Sequence, residues 1–374
     1  MMGRPLSGHS WQVLLVVILG IGPLPVHAGW VVTQLTDDSY DDFSVQVSGS
    51  NVVWDGRAWY NHGIFLYDGV TTTRLSNNSY WDRYPQVSGS NVVWQGWDGN
   101  DNEIFFYNGT TTTQLTNNSY DDSAPQVSGS NVVWHGWDGS DYEIFLYDGV
   151  TTIQLTSNSD SDGFPQVSGS NVGWISSTGS GTEVFLYDGV LTRQLTNNSY
   201  TEDRLQVSGS NVVWESWDGS DYEIFFYDGA TVQQLTDNNY GDESPQVSGS
   251  NIVWNGNGNI FRYDGTSTTQ LTNSGYSNER PQVSGSNVVW YGSDGTGYDI
   301  FVYDGVTTTQ LTSNSSGNRV PQISGSNVVW LGWDGSDSDV FLAQYEGTLG
   351  AVPEPATALL VGLGILALRR RRTA

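Results

Sequence analysis

The chain has 374 residues, with 40 Asp and Glu against 13 basic residues, all of them arginine. So acidic a surface repels nucleic acid and anionic lipid, because binding phosphate depends on basic side chains that release counterions. Cysteine is absent, which excludes disulfides, thiolate catalysis and zinc–sulfur sites together, while 16 Trp, 20 Tyr and 12 Phe separate the chain from aromatic-poor acidic disorder.

Residues 1–28 read as a secretory signal peptide, with Arg4 as the positive region, Val13–Ile21 as the apolar region and Val26-His27-Ala28 as a small-residue site cleaved after Ala28. A signal helix is expected there; a membrane anchor needs a longer apolar span.

The motif at Gln46–Trp54, Gln-Val-Ser-Gly-Ser-Asn-Val-Val-Trp, returns at Gln86, Gln126, Gln166, Gln206, Gln246, Gln282 and Gln322, with single changes at Gly173, Ile252 and Ile323. The steps are 40 residues except for one of 36, and a fixed period near 40 fits four-stranded propeller blades. In the copy at Pro125 the expected strands are Pro125–Gly129, Asn131–Gly136, Glu143–Tyr147 and Thr151–Thr156. Ser-Gly-Ser-Asn and Asp148-Gly149 form tight turns, and Trp137–Tyr142 a longer loop. Strands two and three are apolar on both faces, strand four is largely polar, and strand one is short with glycine, so the order runs from axis to rim. The strand-two tryptophans (Trp54, Trp94, Trp134, Trp174, Trp214, Trp254, Trp290, Trp330) read as inter-blade core, with a ligand-stacking ring as the alternative.

Strands one to three occur eight times. The strand-four signature first appears ahead of them, at Gln34-Leu35-Thr36, and the eighth blade lacks its own. Residues 31–36 are therefore expected to complete that blade, giving an all-β, eight-bladed β-propeller of four-stranded antiparallel blades over residues 29–347, closed by its N-terminal strand. An aromatic third strand, Asp-Gly, and Gln-Leu-Thr before an acidic loop and Pro-Gln resemble TolB-like (WD40-like) propeller repeats over residues 31–347. The chain has Val-Ser-Gly-Ser-Asn where those repeats usually read Trp-Ser-Pro-Asp-Gly. The resemblance implies a binding platform or an enzyme scaffold and fixes no function.

Loops joining strands two to three and four to one share one face, where length and charge vary, so ligand binding is expected there. Four blades carry Trp-Asp-Gly-x-Asp-x-[Glu/Asp], offering Trp97, Asp98, Trp137, Asp138, Trp217, Asp218, Trp333 and Asp334 as candidate ligand contacts. The tryptophans suit sugar stacking or a cover over the core. The acids, notably Asp141, Glu143, Asp221 and Glu223, suit either calcium or a hairpin in which aspartate caps backbone amides; the spacing is not that of an EF-hand. Linkers add Asp41-Asp42, Asp121-Asp122, Asp160 with Asp162, Glu202-Asp203 and Asp242-Glu243, too many pairs to single out a glycosidase couple and readable as a solvated rim. His62 and His135 read as surface substitutions, and the non-repeated Arg57, Trp59, Arg83 and Arg204 form no recognisable set.

At the C-terminus Pro353-Glu354-Pro355 precedes an apolar run, Ala356–Leu368, and then Arg369, Arg370, Arg371 and Arg372. The apolar run suggests a hydrophobic helix that associates with the membrane before processing. Triplet, helix and arginine cluster, within a tail at 348–374, resemble the PEP-CTERM sorting signal. That resemblance implies export across the inner membrane of a Gram-negative bacterium, processing by an exosortase with the secretion machinery as partner, and a link to exopolysaccharide. The combined reading is an exported, surface-targeted binding or extracellular-matrix protein that engages polysaccharide or protein. The alternatives are a glycan-active hydrolase with an unidentified carboxylate pair, or a calcium-stabilised structural shell.

Overall fold

The computed structural model describes residues 29–58, 61–76, 80–293, 295–313 and 317–346. The signal segment, the sorting tail, both expected terminal helices and Trp59 lie outside the described residues, among which there is no α-helix. Eight antiparallel four-stranded sheets are present, seven of them built from four consecutive strands. In the eighth, Arg319–Ser324, Asn327–Trp333 and Ser338–Tyr345 take Trp30–Gln34 as their outer strand, with Trp30 opposite Tyr345 and Gln34 opposite Phe341. The expected closure is thus the observed one.

Blade three shows why each position repeats. Its strands are Asp122–Ser128, Asn131–Trp137, Tyr142–Tyr147 and Thr152–Gln154. Strand one starts three residues earlier than expected, because its register with strand two shifts between Ser123 and Gln126. Ala124 in that bulge has φ 51°, and Pro125, which has no N–H to give, falls in the unpaired stretch. Strand four is shorter than expected: beyond it Leu155 N–H bonds Ile144 O and Thr156 Oγ1 accepts Ile144 N–H, both side by side with strand three.

Trp134 is fully buried and stacks on Phe145 of its own blade at 5.8 Å and 11°. It packs, with Val132, against Val93, Ile104 and Phe106 of the preceding blade. Equivalent clusters occupy all eight junctions, so these tryptophans are core and not a ligand ring. At the opposite end from the variable loops, Gly129 N–H donates to Ser88 Oγ of the preceding blade at 2.9 Å, and Asn91 Nδ2 donates to Gly129 O at 2.7 Å. The serine bond recurs at every junction, including Gly49 N–H to Ser324 Oγ across the closure.

The linker acids depart from the expected solvated rim. Asp42, Asp122, Asp162, Glu202 and Asp242 are buried. Asp122 Oδ1 accepts Trp134 Nε1–H at 3.0 Å and Oδ2 accepts Asn118 Nδ2–H at 2.6 Å. A Cβ on Gly136 would stand 2.1 Å from that same Oδ1, which is why glycine follows the tryptophan by two. Burial pushes Asp42 up to about 8 and Asp242 up to about 6. The folded chain therefore holds protons that the unfolded chain has released above the ordinary carboxylate range. Their contribution to stability is most favourable at low pH and is lost as pH rises through the folded values. Thermal melts in chelating buffer are expected to show stability falling between about pH 4 and pH 8; a rising midpoint over that window would contradict the burial of these carboxyls.

Blade four breaks the motif at Gly173. A Cβ there would stand 2.8 Å from Val207 Cγ2 and 3.0 Å from Leu205 Cδ2, and Leu205, which replaces the proline of most other blades, is buried in that junction. The pair acts as one packing unit. Gly173→Val is expected to cost about 1–3 kcal/mol by overpacking, with Leu205→Pro added to it restoring most of the loss. Denaturant melts in which the double variant is no more stable than the single one would show the two sites uncoupled.

Candidate functional site

Antiparallel order places the two–three loops and the four–one linkers at one end of the ring, and they are joined there: Asn102 N–H and Nδ2–H both donate to Asp121 Oδ1, at 2.9 and 2.8 Å. Within the Trp-Asp-Gly loops the first aspartate caps the hairpin. Asp138 Oδ1 accepts Ser140 N–H and Ser140 Oγ–H, both at 2.8 Å, and Asp218 and Asp334 repeat this. These bonds hold Asp138, Asp218 and Asp334 below the usual carboxylate range.

The same aspartates converge with the other acids of the loop. Carboxylate oxygens of Asp98, Asp101 and Glu103 lie within 4.8 Å of one another, as do those of Asp138, Asp141 and Glu143, of Asp218, Asp221 and Glu223, and of Asp334, Asp337 and Asp339. Glu103, Glu143 and Glu223 are wholly buried. One oxygen of each accepts a linker amide, as when Asn118 N–H meets Glu103 Oε1 at 2.8 Å. Burial, followed by the neighbouring carboxylates, pushes Glu103 up to about 7 and raises Glu143 and Glu223. Asp339 reaches about 7, although Gln34 and Thr36 of the closing strand segment hydrogen-bond it.

The loop tryptophans are partly open to solvent. Trp97, Trp217 and Trp333 are exposed, and Trp137 is half-buried with its ring edge-on to Tyr142 at 5.3 Å. Trp97 shares a cleft of about 530 Å³ with Tyr80, Trp81, Tyr84 and Arg83. Trp81 is 52% exposed and carries the Arg83 guanidinium 4.0 Å above its ring. The aromatic surface continues into blade one, where His62 lies 5.2 Å from Trp81 and 5.5 Å from Phe43. A second groove, about 660 Å³, lies between blades two and three beside Tyr120, Trp137 and Tyr142. Sequence reasoning singled out Trp97 and missed Trp81, Tyr80 and Tyr84. The available signal was Trp81 itself, an aromatic where Asp41 and Asp121 stand in the neighbouring linkers.

Neither histidine is a plain surface substitution. His62 Nδ1 sits 3.3 Å from Asp55 Oδ2, between the two rings just described. His135 packs on Tyr142 and Phe164, and burial pushes it down to about 4, so it is neutral near pH 7. Of the non-repeated residues, Arg83 belongs to the aromatic cleft, whereas Arg204 lines a cavity of about 480 Å³ at the axis with Arg280, Ser244 and a row of motif glutamines. Arg204 pairs with Glu215 at 3.2 Å and donates to Ser244 Oγ. Glu215 also accepts Ser244 N–H at 2.7 Å, and burial pushes it up to about 7. Arg57 joins neither place; its N–H meets Asp41 O.

The solved structures that resemble this chain include a propeller domain. The β-propeller domain of the Trilobed protease from Pyrococcus furiosus, described as having an open velcro topology, is 11% identical over 73% of this chain and 96% of that one, with a TM-score of 0.53. Puromycin hydrolase (S511A mutant complexed with PGG) is 12% identical, with a TM-score of 0.53; the match covers 78% of this chain but only 58% of the hydrolase. The computationally designed Ika8 protein is 19% identical over 83% of this chain and 98% of its own, with a TM-score of 0.57. At these identities the likeness is one of fold. Comparison with curated proteins gives no match. Residues 351–372 match the PEP-CTERM protein-sorting motif, so the propeller carries the C-terminal sorting signal of an exported protein.

Proposed function

We propose that this is an exported, surface-sorted propeller that binds neutral polysaccharide along the loop face of its first three blades. The observation that carries this reading is the cleft between Trp81 and Trp97, where exposed aromatic faces meet polar side chains on a rigid scaffold. Sugar rings offer apolar C–H faces for stacking and hydroxyls for carboxylates and amides. The row of rings from Phe43 through His62 and Trp81, with the neighbouring groove at Trp137, has the extended form a polymer needs and a single sugar does not. The acidic surface disfavours polyanionic chains.

Sorting completes the reading. The signal peptide is removed after Ala28, and Ala356–Leu368 holds the chain in the inner membrane with Arg369–Arg372 on the cytoplasmic side. An exosortase-type enzyme then acts at Pro353-Glu354-Pro355. Intact-mass analysis of the mature protein is expected to find Gly29 at its start and the arginine cluster missing; a surface protein that keeps Arg369–Arg372 would contradict this processing.

Binding is tested by affinity electrophoresis and calorimetry with purified neutral exopolysaccharide of the bacterium that makes the protein. Trp81→Ala with Trp97→Ala is expected to weaken binding by about tenfold per ring without lowering the melting temperature, since both side chains are exposed. Unchanged affinity in the double variant would remove the cleft from the binding surface.

A further inference from the structure

We infer that blades two, three, five and eight each hold a calcium ion in the two–three loop, four per chain. Three carboxylates converge in each loop with oxygens within 4.8 Å of one another, which is about twice a calcium–oxygen bond and lets one ion touch all three. The donors are oxygen only, the chemistry of hard cations rather than of zinc or copper.

A second observation is independent of that convergence. Glu103 Oε2, Glu143 Oε2 and Glu223 Oε2 are buried on fully buried residues and accept no hydrogen bond, and Asp101 Oδ1 and Asp337 Oδ2, buried on residues 8% and 4% exposed, accept none either. An orphaned buried carboxylate oxygen is costly in any fold, and here it sits among like charges. Asp121 and Asp122 add negative charge around the blade-two trio, and among the described residues no arginine pairs with any of the four trios. A divalent cation supplies both the missing partner and the missing charge.

Blade four provides the internal contrast. Glu183 keeps an unpartnered buried oxygen, but Thr178 and Gly181 stand where the two aspartates would be, so one carboxylate remains and no site is assigned. Two carboxylates in addition to the buried one make the site. The ion would tie the loop carrying Trp97 or Trp217 to strand three, fixing the platform on which the exposed rings stand.

Equilibrium dialysis of the mature protein against calcium in 150 mM NaCl tests this, with magnesium as competitor. The expected result is about four equivalents bound in the affinity range of extracellular calcium modules, about 10⁻⁴–10⁻³ M, and a melting temperature that rises with calcium and falls with chelator. Asp141→Asn changes a partly exposed side chain and is expected to remove one equivalent. Asp101→Asn, Asp141→Asn, Asp221→Asn and Asp337→Asn together are expected to remove all four while the melt in chelator stays that of the parent. Fewer than one equivalent at millimolar calcium would overturn the inference. So would uptake that the fourfold variant retains or that magnesium displaces equally, because both describe a diffuse acidic surface.

Discussion

Everything else in the molecule depends on how each blade grips the next. At every junction the N–H of the turn glycine is held by a serine hydroxyl of the preceding blade. At most of them the carbonyl of that same glycine accepts an asparagine amide. One peptide group is thus satisfied on both sides by a neighbouring blade, and the glycine is left-handed, near φ 60°, which suits it to the turn. Each bond is worth only about 1 kcal/mol. Repeated around a closed ring, the bonds cannot be lost one blade at a time, because loosening one junction shifts the angle at all the others. The Trp–Phe stack and the buried valines fill the wedge that the clasp defines.

The closing strand places the chain's beginning under the same constraint. Gln34 and Thr36 bond Asp339, Thr36 Oγ1 accepts Val340 N–H, and Asp41 Oδ1 accepts Ser338 N–H. Thr156 and Asp121 play the last two roles within other blades. The eighth blade is therefore chemically a normal blade assembled from both ends of the propeller. Without disulfides, the ring is closed by this zipper together with the Gly49–Ser324 clasp and the core at the same seam.

Much of this was readable from residues. The 40-residue period, the tryptophan positions and the unpaired Gln34-Leu35-Thr36 predicted eight wedges and their closure, because spacing and count survive without coordinates. What stayed hidden was anything decided between blades. Val-Ser-Gly-Ser-Asn read as a turn, and nothing local to it says that its serine and asparagine serve the next blade. Asp121 and Asp122 read alike as linker acids; only the bulge sends Asp122 inward beneath Trp134 and leaves Asp121 to cap the neighbouring loop. The aromatic cleft was half legible: Trp97 belongs to a repeated loop, whereas Trp81 and Tyr84 stand at positions that vary from blade to blade, beside the bulge where Tyr84 has φ 54°.

A second position varies in every blade. One residue past the core tryptophan, the eight blades carry Asp55, Gln95, His135, Ile175, Glu215, Asn255, Tyr291 and Leu331, eight different side chains at one structural position. Core tryptophan precedes it in every blade, and the glycine or serine that makes room for the buried acid follows. The clasp, the stack and the buried acid do not fix which side chain stands here. It faces the bulge, and its side chain can reach across to the following blade, as His135 does to Phe164 N–H and Glu215 to Ser244 N–H. The position is not idle: Ile175 and Leu331 fill the junction core, while His135 and Glu215 hold the next blade's bulge, so each blade meets its neighbour there by its own chemistry. Repetition in this chain records what every junction requires, and its failures record how each pair of blades meets that requirement in its own way.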